Sequence, residues 1–412
     1  DVMGGQIQMM FDIVGGAKSY IDGGKVRALA VTSKERNPAL PQLPSMSELG
    51  IRDYDIGGWY GLYGPLGMNA DVSQRIAAAT GRALQDAELR KRLHRAELPD
   101  HALGRLETLL LQLARIQNAT PFPFDLLAFD SPQLVVFAAD HGICDEGVSL
   151  FPQSATRQRV GQLLQGTSAT NTLAALHGFD LTVVDAGVST HLQPPANHQA
   201  RVPLQLRKIG YATRNIVLSP AMSLPQAVSA LHAGMDVVHH LPGNVVALGD
   251  VGVGSTSCAA LLLSRLCGVP LADACGRGGG LDDAQLQHKL EKLFAAATRH
   301  RKATAPLDVL AALGGFEIAM MAGAMLQAAA ERRVVLVDGF VAGAAALVAR
   351  GLSPAVTDYL VFTQRSAEPG HRLLLIHLQA QPLLDMELRM GQGMGALLAW
   401  PLLQTAQRLL EH

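Results

Sequence analysis

From Leu103 onward, short unbroken apolar runs alternate with longer stretches whose apolar residues recur at helical spacing. The short runs are Leu134–Phe137, Leu181–Val184, Val245–Leu248 and Val334–Val337, all rich in β-branched residues. A continuous apolar run of this length predicts a strand covered on both faces, as in a parallel sheet. Between them lie stretches with helical periodicity: Gln158–Leu176, Leu224–Val238, Thr256–Leu266, Asp282–Ala297 and Phe316–Glu331. The spaced glycines Gly391 and Gly393 lead into a last helix, Ala396–Leu410. Strand and helix in alternation predict an α/β fold: a doubly wound, mainly parallel sheet with flanking helices.

The first hundred residues have a different rhythm. Gln6–Phe11, Val26–Val31 and Trp59–Tyr63 read as short strands, separated by the proline-punctuated loop Asn37–Pro44. Val72–Leu93 reads as a helix ending in the charged stretch Glu88–Arg92, a solvated helix end. The pattern predicts a small α+β N-terminal fragment over residues 1–98 joined at Leu98-Pro99 to a main domain over residues 99–412.

Composition narrows the function classes. The chain of 412 residues is 49% apolar and 17% charged, below the roughly 25% charged of an average soluble protein, which excludes a disordered chain. A net charge of −1 and 5% aromatics leave neither an electrostatic footprint nor stacking platforms for nucleic acid. Cys144, Cys258, Cys267 and Cys275 show no CxxC spacing and read as buried thiols of a reducing compartment. The most apolar window, Val334–Ala349, carries Asp338 and is too short to span a membrane. The first residues lack the basic and apolar regions of an export signal.

The candidate chemistry gathers at strand ends. All four main strands run into an aspartate with a glycine close behind: Asp140, Asp185, Asp250 and Asp338. In open α/β sheets the ligand crevice lies beyond the carboxyl ends of the strands, so these residues predict a carboxylate rim; Asx-turn capping explains some of them equally well. Gly249–Thr256 follows a strand and opens a helix, where Gly252, Gly254, Ser255 and Thr256 offer free amides and hydroxyls to a phosphate. A second loop, Gly276–Asp283, contributes Gly276, Gly278 and Gly280, with Arg277 and Lys289 as cations. Asp140-His141 opens a cluster with a single histidine that matches no metal spacing. Ser366-Ala367-Glu368-Pro369-Gly370-His371 is read as a polar loop, in preference to a hydrolase triad, because no nucleophile elbow accompanies it. His239-His240 reads as a helix C-cap.

Two resemblances follow. Gly4–Asp12, Gly24–Thr32 and Trp59–Leu62 resemble the C-terminal third of the periplasmic receptors of tripartite tricarboxylate transport systems. That third lacks most of both lobes of such a receptor, so no function of its own is expected of it. From about Leu103 to His412, the motifs Leu103–Glu107, Ala139–Gly142, Asp145–Ser149, Gly276–Asp283, Gly314–Ile318, Val337–Phe340 and Arg365–His371 resemble, in order, the nicotinate-nucleotide–dimethylbenzimidazole phosphoribosyltransferase family. The resemblance implies transfer of 5-phosphoribosyl from nicotinate mononucleotide to 5,6-dimethylbenzimidazole. The products are α-ribazole 5′-phosphate, for the lower ligand of cobalamin, and nicotinate. It also implies inversion at the anomeric carbon, a cytoplasmic homodimer, and no metal or organic cofactor; no nucleic acid or membrane is a partner.

An apolar pocket near Phe151-Pro152 is expected to take the aromatic base. The family carries its general-base glutamate where this chain has Gln392, between Gly391 and Gly393, and a second glutamate where it has Asp250. Gln392 is expected to accept a hydrogen bond through its carbonyl oxygen without removing a proton, leaving Asp250 as the carboxylate in reach. The other reading is a catalytically weak nucleotide-binding homologue.

Overall fold

A computed structural model describes residues 2–37, 39–51, 68, 72–73, 76, 80, 102–118, 127–193 and 202–409. The chain divides into two compact units, residues 1–77 and 78–412.

In the first unit the one described helix is Val14–Asp22. The expected strands differ from what forms. Gln6–Phe11 is irregular and exposed, and of Val26–Val31 only Val31 pairs, in a single parallel bridge to Ser45. A strand needs a sheet to complete its hydrogen bonds, and a lone pair of strands is marginal in water. The expected strand Trp59–Tyr63 lies outside the described residues, as does almost all of the expected helix Val72–Leu93.

The second unit is built on a six-stranded sheet. Its strands are β1 (Gln133–Ala139), β2 (Asp180–Gly187), β3 (Leu204–Leu206), β4 (Val245–Val251), β5 (Val334–Val337) and β6 (Leu360–Phe362), in the order β3-β2-β1-β4-β5-β6. Every pairing is parallel. All residues of β1, β4 and β5 are buried, as their unbroken apolar runs require. Two cores cover the two faces: Val135, Phe137, Val246 and Leu248 join one, Leu134, Val136, Val245 and Ala247 the other. The chain leaves β1 toward β2 and β3, then returns to β4 on β1's other side. That reversal creates a topological switch point between β1 and β4, where open α/β sheets hold their ligands.

The helices refine the expectation at two places. The stretch Gln158–Leu176 is two helices, Ser154–Gln165 and Ala169–His177. Gly166 ends the first with a left-handed C-cap, and Ser168 starts the second in a capping box with Asn171. The apolar window Val334–Ala349 is β5 followed by the helix Gly339–Leu352. Asp338 and Gly339, the latter at φ +77°, make the turn between them. A small parallel pair, β7 (Gln364–Ser366) with β8 (Leu384–Leu388), stands beside the main sheet and leads to the last helix, Met394–Leu409.

Candidate active site

At the carboxyl end of the sheet lies a cavity of about 820 Å³. Its wall runs along the end of β4 and the following helix start, from Asp250 through Gly252 and Gly254 to Ser255 and Thr256. Gly278, Gly279 and Gly280 form a second side, and Met390, Gly391 and Gln392 a third. The helix that begins at Ser255 directs its N-terminal amides here, since Gly254, at φ +95°, turns the chain straight from strand to helix. Phe151 supplies an apolar face and rests against Gly279, where a Cβ would fall 2.5 Å from its ring. Arg159 lies over that ring, 4.9 Å from its centroid.

The expected carboxylate rim is only half realised. Asp250 and Asp338 line the cavity, whereas Asp140 and Asp185 do not. Asp185 caps its own turn by accepting from the Val188 amide at 3.0 Å and pairs with Lys208 at 2.9 Å. Asp140 accepts from the Ser189 amide at 2.8 Å, inside the fold. His141, also expected at the site, is fully buried with its Nε2 2.9 Å from Glu317 Oε1. Burial alone would push the His141 pKa down, but Glu317 and Cys258 beside it raise it well above the ordinary histidine value.

Asp250 is almost enclosed. Its Oδ2 accepts from Ser255 Oγ at 3.2 Å. Burial, with Glu317 and Asp338 nearby, pushes its pKa up to about 7, against the opposing pull of Ser255 and His141. Asp338 is pushed up to about 6 by burial, although Gln364 Nε2 donates to it at 2.9 Å and the amides of Gly393 and Gly395 also bond it. Asp338 thereby anchors the loop that carries Gln392. The same loop is seated on β4: a Cβ on Gly249 would lie 2.3 Å from the Gly393 nitrogen, so only glycine permits the approach. Gln392 itself has φ +66°, a left-handed backbone that costs a non-glycine residue roughly 1–2 kcal/mol. Its Oε1 accepts from Thr170 Oγ1 at 3.0 Å. The carbonyl oxygen expected to meet a base is therefore already engaged.

Several expected residues stand behind the cavity wall. Lys289 is buried, and its Nζ donates to the Gly276 carbonyl at 3.1 Å, bracing the glycine loop from beneath. Gly276 packs against Glu368, whose Oε2 would lie 2.0 Å from a Cβ there. Arg277 pairs with Asp283 and donates to the Leu281 carbonyl at 2.9 Å. Gly393 packs on Leu134, and Pro152 accepts from the Ala155 amide at the start of its helix.

The sequence reading missed other parts of the wall. Arg159, Thr167, Ser168, Glu368 and Arg389 all line the cavity. The Gly166–Ser168 stop-and-start signal could have revealed the helix break that exposes Thr167 and Ser168. Arg389 follows β8 and has no local signature. Glu368 takes the Gly278 amide, and burial raises its pKa despite Lys289 and Arg389. Ser366 is the end of β7; its amide donates to His371 Nδ1 at 2.9 Å and its Oγ lies 3.0 Å from the same atom. Burial lowers the His371 pKa to about 4, and its Nε2 has no hydrogen-bond partner among the described residues. The imidazole that would serve a hydrolase is thus a neutral acceptor for the chain's own amide.

Known proteins resemble this chain in sequence and fold. Residues 80–412 match a family described as phosphoribosyltransferase, and residues 1–108 match the tripartite tricarboxylate transporter family receptor. The nicotinate-nucleotide–dimethylbenzimidazole phosphoribosyltransferase of Variovorax paradoxus is 46% identical over 79% of this chain and 90% of its own length. The enzyme of that name from Cupriavidus taiwanensis is 50% identical over 76% of this chain and 88% of its own. The crystal structure of CobT from Thermus thermophilus superposes with a TM-score of 0.73 at 36% identity, covering 79% of this chain and 96% of that one. With its fold and the run of its sequence held in common, this chain belongs, over residues 80–412, to the phosphoribosyltransferase family.

Proposed function

We propose that this chain transfers 5-phosphoribosyl from nicotinate mononucleotide to 5,6-dimethylbenzimidazole, giving α-ribazole 5′-phosphate and nicotinate. One observation carries the reading beyond family membership. A helix N-terminus and a second glycine loop converge in one cavity with Asp250, whose pKa of about 7 suits proton transfer at neutral pH.

The phosphate of the nucleotide sits at the helix start Gly254–Thr256 and beside Gly279, with Lys289 holding the second loop in place. A ring nitrogen of the base attacks the anomeric carbon with its lone pair. The bond to the pyridinium nitrogen breaks, and its electron pair returns to that nitrogen, so nicotinate leaves with a neutral pyridine ring. Positive charge builds on the ribosyl carbon in the transition state, and the carboxylates of Asp250 and Asp338 stabilise it. The proton leaving the second ring nitrogen goes to Asp250. Phe151 offers the aromatic base an apolar wall. In the same reading the enzyme is a cytoplasmic homodimer, an assembly that analytical ultracentrifugation of the full chain tests. Among the described residues, no helix is long and apolar enough to cross a membrane.

The direct test is incubation of the purified chain with both substrates, followed by chromatography. Formation of α-ribazole 5′-phosphate in step with nicotinate supports the reading. Nicotinate released equally without the base would mean hydrolysis instead.

A further inference from the structure

The side-chain amide of Gln392 has a fixed polarity. Thr170, in the first turn of the helix Ala169–His177, is fully buried. Its hydroxyl faces Gln392 Oε1 at 3.0 Å, and no other acceptor serves it among the described residues. A buried donor left without an acceptor is penalised heavily relative to one that is bonded. Turning the amide by half a rotation would set its –NH2 against Thr170 and strand the hydroxyl proton. The backbone leaves little other freedom. Gln392 N donates to the Asp250 carbonyl at 3.2 Å, and the loop is pressed against Gly249. The carbonyl end of the amide therefore points to Thr170, and the –NH2 end is left for the cavity that Gln392 lines beside Asp250 and Met390.

We propose that Gln392 presents a hydrogen-bond donor to the heterocycle bound in this cavity, and that Thr170 is the positioning residue that sets this polarity. The inference rests on the reading above that the aromatic base is bound in this cavity, which Gln392 lines together with Phe151. Its consequence is a preference for bases whose facing edge carries an unprotonated nitrogen or oxygen. A neutral benzimidazole that turns its N–H toward Gln392 sets donor against donor. Once the ring has been ribosylated and that proton has gone to Asp250, the same nitrogen carries a lone pair and accepts from Gln392. The amide thus disfavours the neutral base and holds the product.

Benzoxazole, which has ring acceptors and no N–H, and indole, which has an N–H and no ring acceptor, separate the possibilities by calorimetry on the full chain. The parent is expected to bind benzoxazole more tightly than indole by roughly tenfold, the scale of one hydrogen bond. Gln392→Glu should invert that order. Thr170→Val, which frees the amide to turn, should bring the two affinities together, and Thr170→Ser should restore the parent ratio. Parent binding of indole equal to or tighter than benzoxazole overturns the proposal. A ratio unchanged in Thr170→Val removes Thr170 from its role. Failure of both probes to bind at millimolar concentration overturns the base site itself, and this inference with it.

Discussion

Asp250 is the residue on which the chemistry turns. It ends β4 at the switch point of the sheet, and burial with neighbouring carboxylates keeps its pKa near 7. Asp250→Asn removes the proton acceptor and should lower the transfer rate by about 10²-fold or more, the usual scale of a positioned general base. The same substitution should change stability in the opposite sense. A carboxyl whose folded pKa exceeds its unfolded value holds a proton in the native state that the unfolded chain has already released. Its contribution to stability is therefore lost as pH rises from about 4 to about 7. Above that window the parent carries the full cost, and Asp250→Asn should be more stable by roughly 1–4 kcal/mol at about pH 8. Thermal melts at about pH 8 and about pH 5 check it; the advantage should shrink at the lower pH. Gln392 sets the other limit. It offers no proton acceptor, so Gln392→Glu should raise the single-turnover rate at neutral pH, by up to the same 10²-fold scale.

At the scale of elements, the site is made by three loops pressed on strand ends. Gly249 is where the loop of Gly391–Gly393 meets β4, with the backbone only 2.3–2.4 Å from a would-be Cβ. Gly249→Ala should displace that loop, lower the unfolding free energy by about 1–3 kcal/mol, and reduce activity together with it. Lys289 acts through the second loop, since its ammonium holds the Gly276 carbonyl from below. Lys289→Ala should weaken nicotinate mononucleotide binding by about 1.5–3 kcal/mol, and calorimetry showing unchanged affinity would remove it from the site.

These elements also show what the sequence could reveal. The strands β1, β2, β4 and β5 were legible because parallel strands buried on both faces are continuous apolar runs. The glycine loops were legible because glycine marks close approach. What was not legible depends on the third dimension. Thr170 and Gln392 are far apart in the chain and meet only when the helix Ala169–His177 packs at the end of the sheet. Asp140 and Asp185 look like Asp250 in sequence, yet each accepts from a backbone amide that only the folded loops supply. The strand expected at Gln6–Phe11 failed for another reason: its alternation suits a sheet, but among the described residues no strand lies beside it to complete its hydrogen bonds.

For the whole molecule, a transferase unit is preceded by a segment similar to a different family. We propose that residues 1–98 are dispensable for folding of the rest, because the sheet, both cores and the cavity are built from residues beyond them. A protein beginning near Pro99 should keep the main thermal transition of the full chain. Collapse of that transition would mean that the first segment packs where a family enzyme places its own N-terminus. The parent rate should also fall below the roughly 10 s⁻¹ common to metabolic enzymes, since Asp250 alone must take the proton.

The central claim is that a carboxyl of pKa about 7 at the end of β4 accepts the proton of the attacking base. The single-turnover rate of α-ribazole 5′-phosphate formation by the full chain, followed across pH, tests it most directly. Asp250 acts when ionised, so the rate should climb about tenfold per pH unit below about pH 7 and level off above it. A rate independent of pH from about 5.5 to 8.5, or a profile unchanged in Asp250→Asn, would contradict the account.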